Sequence, residues 1–155
     1  MQTYIFKVAL TGNKRIYRNI EILENQTLNV LHECIFDAFD RYDEHLYSFF
    51  LPQKATKSIR VIYDSPEYTH PMNIDEDFGF KKRYNAAKTK INKLDLKEKQ
   101  KLYYLFDFGD DWWHELTVLK IQSFNGSIDY PSITKKVGES PEQYPDYEDY
   151  EEDES

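Results

Sequence analysis

Residues 102–121 are LYYLFDFGDDWWHELTVLKI, and they make up the most hydrophobic part of the chain. Every second side chain from Leu102 to Phe108 is apolar, which predicts a strand with one buried face. The turn residues Gly109-Asp110-Asp111 follow, and the aromatic and β-branched residues of 112–121 predict the returning strand. The sequence therefore predicts a β-hairpin at the centre of the core.

The first fifty residues predict a second hairpin and one main helix. Apolar residues alternate over 4–10, Thr11-Gly12-Asn13 supplies turn chemistry, and Ile16, Ile20 and Ile22 mark the returning strand. Thr27 is a helix N-cap candidate, and Leu28, Leu31, Ile35, Ala38 and Phe39 then recur at helical spacing. Residues 45–51 predict a third strand, which Pro52 ends. This order of elements over residues 1–51 resembles the β-grasp layout of ubiquitin-like proteins.

The middle of the chain has weaker patterns. Residues 59–63 predict a short strand, whereas 64–80 contain Pro66, Pro71 and Gly79 and predict a long, mobile surface excursion. Residues 86–96 predict a short helix that buries Ile91 and Leu94. The predicted fold class is therefore α+β, with two β-hairpins and further short strands in a mostly antiparallel sheet packed on one main helix.

Length and charge divide the chain into a body and a tail. A chain of 155 residues suits one domain, which we place at residues 1–138. Residues 139–155 hold 9 Asp or Glu, three tyrosines and no Lys or Arg, which predicts an acidic, Tyr-rich tail of disordered type. Without the tail, 20 basic residues stand against 28 less 9 acidic ones, so the net charge of the body is +1.

Composition also narrows the functional classes. No stretch approaches the roughly 20 apolar residues that span a bilayer, and the N-terminus enters a strand-like run without a signal-peptide pattern. The single cysteine, Cys34, cannot form an internal disulfide or a cysteine metal cluster, and its helical apolar neighbours predict a buried, inert thiol. We therefore expect a cytoplasmic protein that does not bind membranes.

Three segments resemble a known family. They are Arg18 with Thr27-Leu28 and Leu31-His32; His45-Leu46-Tyr47-Ser48-Phe49; and Tyr104-Leu-Phe-Asp-Phe-Gly-Asp-Asp-Trp-Trp-His114. Together they are similar to the plasmid ORF-three-like family of root-inducing plasmids, whose members often carry insertion-element passenger labels. Two positions depart from the family pattern: Tyr17 stands where tryptophan is common, and its C-terminal Cys-Pro-Pro-Glu-Asp pattern survives only as Ser140-Pro-Glu-Gln143. The resemblance implies a fold and an association with mobile elements, but no established reaction.

A cluster of carboxylates and imidazoles surrounds the central hairpin. It comprises Asp107, Asp110, Asp111 and His114, joined in space by His32 and His45 if the fold brings them together. Such groups can bind a divalent metal, with Asp107, Asp110 and His114 as the candidate ligands, or act as acid and base in hydrolysis. The alternative, which we favour, is that the aspartates fold the tight turn and the histidines satisfy buried polar groups.

Two further surfaces are binding candidates. Residues 81–101 hold nine basic residues, among them Lys81, Lys82, Arg83, Lys88 and Lys90, and could bind nucleic-acid phosphates, although a solvated charged face is the simpler interpretation. Trp112 and Trp113 lie on opposite faces of a strand, so at most one is expected in the core. An exposed tryptophan there would favour a recognition surface.

Three functions remain open at this stage. The first choice is a non-enzymatic protein-interaction or accessory module with a protein partner, because no nucleophile, phosphate loop or metal motif of recognised spacing is present. The second is a metal-dependent hydrolase that uses the Asp/His cluster. The third is a nucleic-acid-binding accessory protein that uses the basic segment.

Overall fold

The computed structural model describes residues 1–74, 83–124, 126 and 128–144. The strands of this part of the chain are β1 Gln2–Leu10, β2 Asn13–Leu23, β3 Tyr47–Phe50, β4 Glu67–Thr69, β5 Arg83–Asn85, β6 Lys101–Phe106, β7 Trp112–Ser123 and β8 Ser132–Val137. The α-helices are α1 Leu28–Ala38 and α2 Ile59–Asp64, and short 3-10 helices occupy Pro71–Asn73, Ala86–Lys88 and Ile91–Leu94.

These strands form one sheet in the order β5-β4-β3-β6-β7-β1-β2-β8. Neighbouring strands are antiparallel except β4 and β5, which are parallel. The predicted hairpins are confirmed as β1–β2 and β6–β7, and the pairing of β7 with β1 joins them into one sheet. The α+β fold class is therefore confirmed. The hairpin, helix and strand order over residues 1–51 is also present, with the β6–β7 hairpin inserted between β1 and β3.

Helix α1 covers one face of the sheet. It starts where predicted, because the Thr27 hydroxyl accepts a hydrogen bond from the Val30 amide at 3.2 Å. Its apolar stripe packs on the inward-facing residues of the central strands, and the fully buried side chains include Phe6, Val8, Ile20, Leu31, Ile35, Tyr104 and Val118. Cys34 is buried as expected, and burial raises the pKa of its thiol to about 11, which keeps it protonated and unreactive.

The opposite face of the sheet carries a smaller apolar cluster under α2. Phe50, Tyr103 and Leu105 pack there around Ile62 of α2, with Trp113 at the margin. The strand predicted at 59–63 is wrong: these residues are helical. The Ser58 hydroxyl caps the helix by accepting a hydrogen bond from the Val61 amide at 3.3 Å. Ile62 is the buried residue of this helix, so the segment packs on the sheet through one side chain.

Other segments also differ from the sequence prediction. The helix predicted at 86–96 is wrong: the segment forms two 3-10 turns, Ala86–Lys88 and Ile91–Leu94. The extended backbone of Lys90 separates the two turns, and the left-handed backbone of Asp95, with φ of 51°, ends the second. Ile91 and Leu94 are buried as expected. Strands β4, β5 and β8 were not predicted. β5 and β8 are the edge strands of the sheet, and β4 is a three-residue strand between β5 and β3; their sequences lack a long alternating pattern. Part of the predicted surface excursion, residues 75–80, lies outside the described residues.

The C-terminal segment returns to the body after β8. The Ser140 hydroxyl donates to the Phe39 carbonyl, and Gln143 is only 3% exposed. Most of the predicted acidic tail, residues 145–155, lies outside the described residues, and the boundary at 138 stays a prediction. Within the described part of the chain, no helix is long and apolar enough to span a membrane.

Candidate functional site at the β6–β7 turn

The turn between β6 and β7 is built around Asp107. Its Oδ1 accepts hydrogen bonds from the backbone amides of Gly109 at 3.1 Å and Asp110 at 3.3 Å, and its own amide donates to the Leu46 carbonyl. Asp107 has φ of 63°, which an aspartate tolerates because its short side chain bonds locally. The role of Asp107 is thus the turn-forming one, while Asp110 and Asp111 project as exposed carboxylates.

The second oxygen of Asp107 faces a surface cluster from the α1–β3 loop. Its Oδ2 lies 3.4 Å from His45 Nε2, and Asp43 Oδ2 lies 3.7 Å from the same nitrogen. The Tyr144 hydroxyl donates to Asp43 at 2.7 Å, and this hydrogen bond to a carboxylate raises the pKa of Tyr144 to about 12. Three separate segments therefore meet at this point: the loop, the turn and the C-terminal segment.

His32 belongs to a different part of the molecule, inside the core. Its Nδ1 lies 2.6 Å from the Tyr104 hydroxyl, its Nε2 lies 3.2 Å from Glu44 Oε2, and its ring stacks on Tyr47 at 3.8 Å. Burial lowers the pKa of His32 to about 3, so the ring is neutral near pH 7. A neutral imidazole fits both partners, with Nε2 donating to the carboxylate and Nδ1 accepting from the phenol.

His114 is completely buried beside Arg41, a residue that no sequence pattern singled out. Arg41 Nη2 lies 2.8 Å from His114 Nε2, and since guanidinium only donates, this nitrogen accepts and Nδ1 donates to the Tyr104 carbonyl at 3.3 Å. Burial and the Arg41 charge hold the pKa of His114 well below its usual range. The Arg41 guanidinium itself lies 5.0 Å from the Phe106 ring centre and 5.5 Å from that of Trp112. Burial lowers the pKa of Arg41 to about 10.

The predicted metal ligands Asp107, Asp110 and His114 are therefore not brought together. Asp107 is occupied by the turn amides, Asp110 lies in solvent, and His114 points into the core as the neighbour of Arg41. Among the described residues, no group of three His, Cys, Asp or Glu side chains could hold a metal ion. The geometry thus gives the hydrolase interpretation no support.

The two tryptophans lie on opposite faces of β7, as the alternation predicts. Trp112 packs against the main core and Trp113 against the cluster under α2, and both are half-buried. Two buried donors beside this site, Arg41 Nη1 and Trp112 Nε1, have no hydrogen-bond partner among the described residues. The burial of Arg41 could not be predicted from the sequence, because a lone arginine after Asp40 resembles any surface-loop residue.

Both tryptophans line an open cleft of about 640 Å³ at the tip of the two hairpins. Leu10 and Ile16 supply further apolar surface, and Gln143 of the C-terminal segment also lines the cleft. The exposed Asp110 and Asp111 also line the cleft. The cleft thus combines aromatic walls with negative charge.

The basic segment is less concentrated than its sequence suggests. Lys81 and Lys82 lie outside the described residues, and Arg83 forms an ion pair with Glu67 at 3.3 Å on edge strand β5. Lys88 and Lys90 are exposed around the 3-10 turn at Ala86–Lys88. The aromatic ring nearest in sequence, Tyr84, is already stacked on Tyr68 at 5.0 Å.

Comparison with known proteins identifies the fold and the family. The crystal structure of MM3350, a protein of unknown function from Methanosarcina mazei Go1, is similar with a TM-score of 0.71 and 22% sequence identity, over 92% of this chain and 73% of that one. That likeness shows a shared fold. No curated protein matches the sequence. The model of the plasmid pRiA4b ORF-3-like protein family matches residues 2–152, which include the turn, the cleft and the buried Arg41–His114 pair. The resemblance expected from the sequence is thus confirmed, and the chain belongs to the plasmid pRiA4b ORF-3-like family.

Proposed function

We propose that this protein is a non-enzymatic interaction module that binds a basic segment of a partner protein in the cleft between the two hairpin turns. The observation that carries the proposal is the cleft itself, in which Trp112 and Trp113 lie beside the exposed carboxylates of Asp110 and Asp111. Indole faces attract lysine and arginine side chains, and nearby carboxylates pair with the same cations. Concave surfaces with apolar walls and a few polar groups are common binding sites.

The framework around the cleft supports this function because it is held in place before a ligand arrives. The hydrogen bonds of Asp107 fix the turn that carries Asp110 and Asp111. Gln143 accepts from the amides of Tyr42 and Asp43, which fixes the C-terminal segment that lines the cleft. A site formed in advance loses less conformational entropy on binding.

Two features support the cellular setting of the proposal. A cytoplasmic location suits a chain whose one cysteine, Cys34, is buried and has no internal disulfide partner. The plasmid in the family name supports an accessory role beside mobile elements.

The test is a titration of the protein with two short peptides, in which tryptophan fluorescence reports binding. One peptide alternates lysine with leucine, and the other alternates glutamate with leucine. We expect saturable binding of the lysine peptide alone. The double variant D110N/D111N should weaken it roughly 5- to 30-fold, since each ion pair at an exposed rim contributes about 0.5 to 1 kcal/mol.

The matched control is E33Q/D37N, which removes two exposed carboxylates from α1 without touching the cleft. This variant should bind the lysine peptide like the wild type. Equal losses in the two double variants would show nonspecific charge attraction, and equal binding of both peptides would remove the basis for a basic ligand.

A further inference from the structure

The described residues cover only part of the face of the sheet opposite α1. Helix α2 packs over Phe50, Tyr103 and Leu105 of β3 and β6. Farther along the sheet, on β1, β2 and β8, the side chains Lys7, Tyr17, Asn19 and Lys135 point to the same side and are half-buried or exposed. We call these four residues the open-face patch.

The patch belongs to a row of residues that are directly paired across five strands. In order the row is Lys101 on β6, Thr117 on β7, Lys7 on β1, Asn19 on β2 and Lys135 on β8. Lysines therefore recur at every second strand, which places their backbones about 10 Å apart. A regular row of cations of this kind suits a ligand with repeated negative charges.

The charge of the row is concentrated at the patch. Lys101 lies 2.8 Å from Glu115 and donates to Thr117, so its charge is offset. The only other acidic group on the neighbouring pairs of this face, Glu21, is buried and accepts from Thr3 and Gln122. Across the described residues, neither Lys7 nor Lys135 forms an ion pair within 4 Å.

An aromatic ring and an unused acceptor lie between these two lysines. Lys7 Nζ is 4.4 Å from the centre of the Tyr17 ring, and Lys135 Nζ is 5.8 Å from it. Asn19 Oδ1 is buried and has no hydrogen-bond partner within the part of the chain that the structure describes. The patch thus offers two cations, from the paired row Lys7, Asn19 and Lys135, beside one ring, Tyr17, in the next row on the same face.

We propose that the open-face patch binds single-stranded nucleic acid. Phosphates take Lys7 and Lys135, and a base stacks on Tyr17 in place of the lysine ammonium groups. Open sheet faces with an aromatic ring beside cations recognise unpaired bases in this way. A duplex keeps its bases stacked internally and cannot offer one to Tyr17.

The test measures anisotropy of a labelled oligothymidylate with the full chain, over a range of salt concentrations. K7Q/K135Q should bind about tenfold more weakly at low salt, and the slope of log affinity against log salt should fall by about 1.4, which is 0.7 for each lost phosphate contact. The matched control is K88Q/K90Q, which removes two exposed lysines from the basic segment and should change neither quantity.

A second pair of variants tests the stacking. Y17F keeps the ring and should retain affinity, whereas Y17L should bind at least about fivefold more weakly with an unchanged salt slope. Circular dichroism of each variant reports whether it folds. The same anisotropy measurement is made with a labelled duplex. A loss in K88Q/K90Q as large as that in K7Q/K135Q, equal affinity for duplex and single strand, or full affinity in Y17L would each overturn the proposal.

Discussion

His32 and His114 place two neutral imidazole rings in the core, and both contact Tyr104. Each ring uses one nitrogen as donor and the other as acceptor, an arrangement that only the neutral form allows. Protonation would remove the acceptor that Arg41 requires at His114 and the acceptor that the Tyr104 hydroxyl requires at His32. The sequence prediction that histidines satisfy buried polar groups therefore describes these two rings, while His45 lies at the surface cluster.

The low pKa of His32 predicts that the fold loses stability in acid. Its folded pKa of about 3 lies below the ordinary value of 6.5, so the unfolded chain binds the proton first as the pH falls. The contribution is present above pH 6.5 and is lost between 6.5 and about 3, at up to roughly 1.4 kcal/mol per pH unit. Urea unfolding at several pH values should give a steeper decline for the wild type than for His32→Gln. Parallel curves for the two proteins would contradict this assignment.

Helix α2 shows how one buried contact can determine an element that its sequence pattern misrepresents. Ile59, Val61 and Tyr63 alternate as a strand face would, yet all three are exposed, and Ile62 between them is buried. The Ser58 cap and the packing of Ile62 on Phe50, Tyr103 and Leu105 outweigh the β propensity of the β-branched residues in this segment.

Alanine substitutions on α2 separate the helical from the strand arrangement. Ile62→Ala should lower the free energy of unfolding by about 2 to 4 kcal/mol, because it opens a cavity under the helix. Val61→Ala, at an exposed position, should change it by no more than about 0.5 kcal/mol. Denaturant unfolding of both variants measures the difference. A larger loss for Val61→Ala than for Ile62→Ala would instead fit the strand.

Elements with long periodic patterns were predictable from the sequence, and contacts between distant segments were not. The hairpins and α1 follow from alternation and from the Thr27 cap, and the Asp107 turn follows from Asp and Gly chemistry. The burial of Arg41 depends on Phe106, Trp112 and His114, which lie far away in sequence. No local pattern carries that information, and for the same reason the open-face patch appears only once strand register is known.

At the scale of the whole molecule, contacts between segments about 100 residues apart hold the candidate site together. Gln143 Oε1 accepts hydrogen bonds from the backbone amides of Tyr42 at 3.0 Å and Asp43 at 3.1 Å, and the Gln143 side-chain amide donates to the Asp43 carbonyl. Tyr42 and Gln143 are 101 residues apart in sequence. The C-terminal segment thus fixes the loop that carries Arg41 and His45. The same segment lines the proposed peptide cleft, so the proposal predicts that stability and peptide binding depend on one set of hydrogen bonds.

Gln143→Ala should therefore loosen the loop and the cleft together. Removing the side chain leaves the amides of Tyr42 and Asp43 without their acceptor, and we expect a loss of about 1 to 3 kcal/mol of unfolding free energy. Hydrogen exchange should become faster at those two amides. The amides of α1 should change only by the uniform amount that the lower free energy of global unfolding sets. Glu142→Ala, an exposed neighbour, is the control and should leave both amides protected. Unchanged exchange in Gln143→Ala would mean that other contacts hold the α1–β3 loop, and the role assigned to Gln143 would be wrong.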